Sequence, residues 1–362
     1  MAQTLLASLR CMTPAQGTCT QQVRKGRSNS RQISGNPSLG NFALFPYASC
    51  VNDTVDGCVF PKKARKTQFT NSTLKASPGY FALTLASGVQ AEMTTAQHTS
   101  LFRFTFPSTG SSPLVLMDLT DLSDSRQDNA SVSVDAQTGR MTGNGRFLPS
   151  FGTGNYVAYF CADFSGPGIR DSGIWVDSRG SANVKDLKIS RGINGGGPLP
   201  GGAFNRFTSS EPISVRLGLS FLNSDQACSN AETEIPDLDF EATRSAAVSA
   251  WREKLSPIAV ATTGVNSSLV KNFYSGFYRT MVNPQNYTGV NPIVSEDKIW
   301  FDSFYWYLPD RKHARATFTN AYVQHLGSLP LTAAFPDSRR HSIGGTDALR
   351  SSQYIRIPGL AA

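Results

Sequence analysis

The chain of 362 residues is 40% hydrophobic and 10% aromatic, enough to bury a sizeable core in one large domain or two. Its formal net charge of +8 is confined to the ends: residues 1–34 carry five basic and no acidic residues, residues 307–362 carry seven and three, and removing these from the totals of 34 and 26 leaves 22 basic and 23 acidic residues over 35–306. A near-neutral body with no basic stripe among its aromatics argues against a nucleic-acid partner, and with no run of about 18 apolar residues no transmembrane helix is expected.

Residues 1–34 are polar, basic and without period, and read as a disordered or mis-annotated head. The start MAQTLLASLR has too short an apolar run for a signal peptide, so an exported form is expected to begin elsewhere. Gly35, Pro37 and Gly40 punctuate a loop, and Phe42, Leu44 and Pro46 follow with strand alternation. Strand signals then recur over 80–85, 100–106, 114–119, 156–164 and 213–221, and Gln137 to Arg140 reads as a hairpin turn between strands. Such a succession, free of helical period, predicts a mainly β domain, a sandwich or barrel, over 35–236. The Gly/Pro-rich stretch 193–203 is expected to be a surface loop. After Pro236 the period becomes helical. Asp237 or Asp239 can cap a helix with Val248, Trp251 and Leu255 on one face, which Pro257 ends, giving a linker over 237–262. A second helix is expected from Asn266 or Ser267, with Val270, Phe273, Phe277 and Tyr278 as its apolar stripe in a segment 263–306. The tail 307–362 has neither period and reads as non-homologous and disordered.

The six cysteines lack paired metal-ligand spacing. Cys50 and Cys58 flank VNDTVDG, a turn-rich loop that a disulfide could close. Asn-x-Ser/Thr acceptors fall at Asn52, Asn71, Asn129, Asn266 and Asn286, and together with that loop favour the secretory route. His98, just before a strand, reads as a structural histidine. The acids Asp118, Asp121 and Asp124, and the pair Asp237 and Asp239, read as loop or cap residues before calcium ligands, since neither set has the spacing of a calcium loop. No nucleophile elbow, phosphate loop or dinucleotide fingerprint is found.

The ordered motifs GNPSLGNFALFP, ASPGYFALTLASG, MTTAQHTSLFRFTFP, YVAYFCADF, VRLGLSFLNSDQA, DFEATRSAAVSAWREKL and FYSGFYRTMVNP over 35–306 resemble the N-terminal half of glycoside hydrolase family 92, especially its fungal members. The resemblance implies a β-supersandwich, a helical linker and the opening of an (α/α)6 barrel. It also implies a secreted, calcium-dependent, inverting exo-α-mannosidase acting on mannose-containing glycans, with its acid, base and metal ligands in the barrel. Two departures stand out. SNSRQIS precedes the GNPSLGN loop where the family has a histidine-bearing stretch, and FDSFYW runs into YLPDRKHARATF rather than the family's Trp-Asp-Ser/Thr-Phe-Arg motif. The chain therefore reads as a fragment lacking the catalytic barrel and inactive alone, the alternative being a stand-alone carbohydrate-binding sandwich. The remaining candidates for sugar contact are Asn36 and Asn41, whose amides could donate to hydroxyls or serve as turn residues, and Asp302. The carboxylate of Asp302 lies in an aromatic cluster, where it could accept from sugar hydroxyls or cap a helix.

Overall fold

The computed structural model describes residues 18–19, 42–61, 64–65, 67–108, 112–119, 129–147, 156–190 and 199–282. The strands in chain order are β1 Thr18–Cys19, β2 Ala43–Tyr47, β3 Thr67–Gln68, β4 Lys75–Ser77, β5 Tyr80–Thr84, β6 Gln90–Thr95, β7 Thr99–Thr105, β8 Leu114–Asp118, β9 Asn129–Val134, β10 Met141–Phe147, β11 Tyr156–Ser165, β12 Ile169–Val176, β13 Arg179–Ser181, β14 Asp186–Ser190, β15 Gly201–Phe207 and β16 Ile213–Ser220. The α-helices are α1 Ser224–Glu234, α2 Phe240–Leu255 and α3 Ser267–Val282. A nine-stranded sheet runs β14-β9-β10-β11-β16-β7-β6-β5-β4, a five-stranded sheet β13-β12-β15-β8-β2, and β1 pairs with β3. The chain divides into two compact units between Trp251 and Arg252, and both large sheets lie in the first.

The main core lies between the two sheets. Phe102, Phe104, Val215 and Leu217 of the nine-stranded sheet meet Val115, Met117, Ala203 and Phe207 of the five-stranded one. Each buried Phe, Leu or Met contributes about 1.5–3 kcal/mol. Strand β8 shows why its sequence is a continuous apolar run rather than an alternating one. Val115 and Met117 point into this core while Leu114 and Leu116 join a second cluster with Phe60, Trp175, Phe204 and the Cys50–Cys58 disulfide. That disulfide is the one expected from the sequence, and it closes a loop of two tight 3-10 turns.

The stretch 193–203, expected to be loop throughout, ends instead in β15, a buried interior strand. Its glycines serve close packing. A Cβ on Gly202 would stand 1.9 Å from the Met117 carbonyl oxygen, which also accepts from Trp175 Nε1 at 3.0 Å. The hairpin turn between β9 and β10 forms as expected. Asp135 accepts from the backbone of Gln137 and Thr138 at 2.8 and 2.7 Å, and Gly139 takes a positive φ of 69°. Asn205 of β15 donates to the Gly139 carbonyl at 2.8 Å, tying this turn to the other sheet.

Helix α1 lies inside the span read as all-β. Its sequence, SDQACSNAETE, is polar apart from small residues, so no apolar stripe announces it. Asn223 caps it by accepting from Gln226 N, and Ala227 and Ala231 pack so close to β16 that a Cβ on Gly218 would meet the Ala227 carbonyl at 2.2 Å. A second disulfide, Cys161–Cys228, ties α1 to β11. In α2 the cap is Asp239, which accepts from Glu241 N and Ala242 N at 3.0 Å. Phe240, Ala247 and Trp251 are its buried positions, while Val248 and Leu255 are half-buried.

In the second unit Asn266 caps α3 by accepting from Ser268 N at 2.8 Å. Val270, Phe273, Phe277 and Tyr278 are all half-buried, the two phenylalanine rings stack at 6.5 Å, and Tyr274 donates to the Ile258 carbonyl at 3.0 Å. Among the described residues no helix is long and apolar enough to cross a membrane.

Candidate functional site

Of the residues singled out for sugar contact, Asn36, Asn41 and Asp302 lie outside the described residues, as does the acceptor Asn286. What is described begins immediately after Asn41, at the entry to β2. Phe42 sits there with φ at 57°, a left-handed conformation costly for a bulky side chain. Packing holds it. The side chain is 1% exposed, edge-on to Phe147 at 5.4 Å and against Phe160 at 4.5 Å. A pocket of core aromatics thus holds the backbone of Phe42 in this conformation.

On the outer face of the nine-stranded sheet, three ion-pair groups among the described residues link strands to the helices. On β6 and β7, Glu92 and Arg103 stand opposite each other and pair at 2.7 Å. Tyr80 donates to Glu92 at 2.8 Å, and Arg103 also reaches Glu241 of α2 at 2.8 Å. Two stacked cations complete the group: Arg103 lies 4.2 Å from the Phe240 ring centroid and Arg244 lies 3.8 Å from that of Tyr80. Burial pushes the Tyr80 phenol up to about 12, with its bond to Glu92 adding to the effect. Burial also raises the Glu92 pKa, but the bonds from Arg103 and Tyr80 outweigh it and hold the carboxyl below its usual range.

In the second group Asp163 of β11 bridges Arg140 at 2.6 Å and Arg216 at 2.7 Å. Arg140 goes on to Glu232 of α1, and Arg216 donates to the carbonyls of Ile235 and Pro236 just past that helix. In the third, Glu234 at the end of α1 accepts from the His98 ring at 2.7 Å and from the backbone of Gln97 and His98 at 3.0 and 2.8 Å. His98 is therefore a structural histidine, as expected. Burial raises the Glu234 pKa, yet these donors win and keep it below the ordinary carboxylate value.

A carboxyl with a lowered pKa stabilises the fold fully above its unfolded value of roughly 4.3 and loses that contribution as pH falls through the lowered folded value. Urea unfolding should therefore show stability level from pH 7 to 5 and falling towards pH 3. Glu234→Gln is expected to lower the plateau and flatten the fall. A variant whose pH slope matches the parent would contradict the role given to this pair.

A glycosidase acid must hold its proton near the working pH, which requires a raised pKa. Glu92, Glu234 and Asp53 are all held as anions instead, Asp53 first by its bond from Arg170. Glu92 and Glu234 hold helices in place, and none of the three has the raised pKa that a general acid needs. Asp118 is committed to an ion pair with Arg65 in the interior, which removes it from the calcium reading, while Asp121 and Asp124 lie outside the described residues. No described group of His, Cys, Asp and Glu suits a metal ion. Sequence reasoning missed the group around Glu92 and Arg103; the available signal was that Glu92, Arg103 and Tyr80 occupy outward positions of adjacent strands.

The chain matches the glycosyl hydrolase family 92 N-terminal domain over residues 22–220 and the glycosyl hydrolase family 92 catalytic domain over residues 226–326. An uncharacterized secreted glycosidase of Arthroderma benhamiae is 44% identical over 290 residues, which cover 77% of this chain and 37% of that protein. The chain thus spans well under half the length of this relative. Among solved structures, the GH92 family glycosyl hydrolase ccman5 superposes with a TM-score of 0.58 at 21% identity, over 69% of this chain and 33% of that one. A family GH92 inverting mannosidase of Bacteroides thetaiotaomicron superposes with a TM-score of 0.57 at 19% identity, over 70% of this chain and 31% of that one. At these identities the two structures show a shared fold.

Proposed function

This chain belongs to glycosyl hydrolase family 92, and on that premise we propose that it is the sandwich-bearing portion of a secreted α-mannosidase, binding α-mannosyl units of N-glycans or mannans without turning them over by itself. The observation that carries this reading is the pair of consecutive family matches, whose junction falls at the end of β16 and the start of α1. The relative named as an inverting mannosidase supports the choice of sugar and stereochemistry. Inversion needs an acid and a base with carboxyl groups roughly 6.5–9.5 Å apart, and the paired anions of the sandwich do not have that character. In this reading Asn36 and Asn41 donate to sugar hydroxyls, and Asp302 accepts from them. Calcium, held by oxygen ligands in the complete enzyme, would bind outside the described residues.

Titrating the purified chain with α-1,2-linked mannobiose should show binding, and incubation with the same sugar and calcium should release no mannose. Asp302→Ala should weaken binding roughly tenfold, the effect of losing one hydrogen bond to a charged group. Release of mannose would overturn the inactivity, and no binding at millimolar sugar would overturn the role of this portion in recognition.

A further inference from the structure

We propose that Asn52, Asn71, Asn129 and Asn266 are covalently modified by N-linked oligosaccharide, and that the fold leaves their amide nitrogens uncommitted for it. Each opens an Asn-x-Ser/Thr triplet: Asn52-Asp53-Thr54, Asn71-Ser72-Thr73, Asn129-Ala130-Ser131 and Asn266-Ser267-Ser268. Such triplets also arise by chance, so the discriminating observation is what the fold does with each asparagine. All four are exposed, and among the described residues none uses its side-chain amide nitrogen in a hydrogen bond. Asn205 and Asn230 do the opposite: their Nδ2 atoms donate to the carbonyls of Gly139 and Leu219 at 2.8 Å, and neither begins such a triplet.

The local backbones fit a bulky substituent. Asn52 is in the left-handed region, φ 56° and ψ 20°, within the Cys50–Cys58 loop, and Asn71 opens a short 3-10 turn before β4. Asn129 starts β9, where Ala130, Val132 and Val134 take the buried positions and leave Asn129 facing out. Asn266 caps α3 through its Oδ1, which a glycosylated amide retains. None of the four belongs to a buried cluster. The two disulfides are a second, independent observation, because they place folding in an oxidising compartment.

The transfer forms a bond from Asn Nδ2 to the anomeric carbon of an oligosaccharide donated by a lipid pyrophosphate. The bond from that carbon to the pyrophosphate oxygen breaks, the lipid pyrophosphate leaves, and the nitrogen loses one proton to a base of the transferase.

The inference rests on the secretory reading, and the test separates the two. The chain is produced in yeast behind a supplied secretion leader, and peptides from the secreted protein are mapped by mass before and after peptide-N-glycosidase treatment. Glycan mass at all four asparagines, with one increment lost in each of Thr54→Val, Thr73→Val, Ser131→Ala and Ser268→Ala, is the expected result. These variants keep the asparagine, so a folding effect of its replacement does not confuse the reading. An unmodified asparagine in folded, secreted protein overturns the assignment at that site. In a parallel arm the native gene, with its own N-terminus, is expressed in a filamentous fungus; product retained in the cytosol would sink the secretory reading and leave the site assignment to the first arm.

Discussion

Asp118→Ala should lower the unfolding free energy by about 3–5 kcal/mol, the usual cost of leaving a buried charge without its partner. Arg65 and Asp118 meet in the interior with their side chains 2% and 1% exposed. The guanidinium also donates to the Phe60 carbonyl at 2.7 Å and stands 5.7 Å from the Phe45 ring. Without the carboxylate, the buried guanidinium keeps its bond to the Phe60 carbonyl but loses the anion beside it, so the packing next to Phe60 and Trp175 is expected to loosen. The pair as a unit is a different matter, because desolvating two ions offsets most of their attraction. Arg65→Met combined with Asp118→Leu should therefore recover at least half of the single variant's loss. Urea unfolding of the parent, the single and the double variant measures both steps. A loss below about 1 kcal/mol for Asp118→Ala, against the scale of a buried pair, would show that the interior compensates for the lost carboxylate.

The second large effect is expected from the Cys161–Cys228 bridge. It joins residues separated by 67 positions, and constraining the unfolded chain over a loop of that length contributes about 4 kcal/mol. The Cys50–Cys58 bridge spans 8 positions, and the same reasoning gives it about 2–3 kcal/mol. Replacing each pair by alanine should therefore lower the melting temperature in both cases, and further for Cys161 and Cys228. The long bridge also holds α1 on β11, next to the Asp163 ion pairs, so its removal should loosen the helix that begins the second family match. Thermal melts of the two variants in parallel decide the point; a larger drop for the short loop would refute the chain-entropy account.

Strands were legible where apolar residues alternate, as at Phe42, Leu44 and Pro46 or Ile213, Val215 and Leu217, and also where the apolar run is continuous, as at 114–119, whose two faces are both buried. The strand Gly201–Phe207 was hidden because its glycines are selected by the approach of Met117 and Trp175, a tertiary demand that local propensity reads as loop. Helix Ser224–Glu234 was hidden for a related reason: alanines and a disulfide fix it to the sheet, so it has no need of an apolar stripe. Both helix starts were legible to within a residue or two, as Asp237 or Asp239 and as Asn266 or Ser267, and the structure uses Asp239 and Asn266 as the caps. For the candidate site, the loop residues Asn36 and Asn41 and the carboxylate of Asp302 within its aromatic cluster were singled out, and all three lie outside the described residues. The ion pairs that hold α1 and α2 were not foreseen, because each joins strands or helices far apart in the chain.

Strand β2 carries Pro46 as the fourth of its five residues and lies at one margin of the five-stranded sheet. Proline presents no N–H there for another chain to bond. The opposite margin, β13, is three residues long, as is β4 at one end of the nine-stranded sheet, and β14 at the other end displays Asp186 and Lys188 to solvent. Short, charged or proline-bearing borders are poor templates for strand addition. Among the described residues, the borders of the two large sheets therefore offer little for edge-to-edge zipping into fibrils.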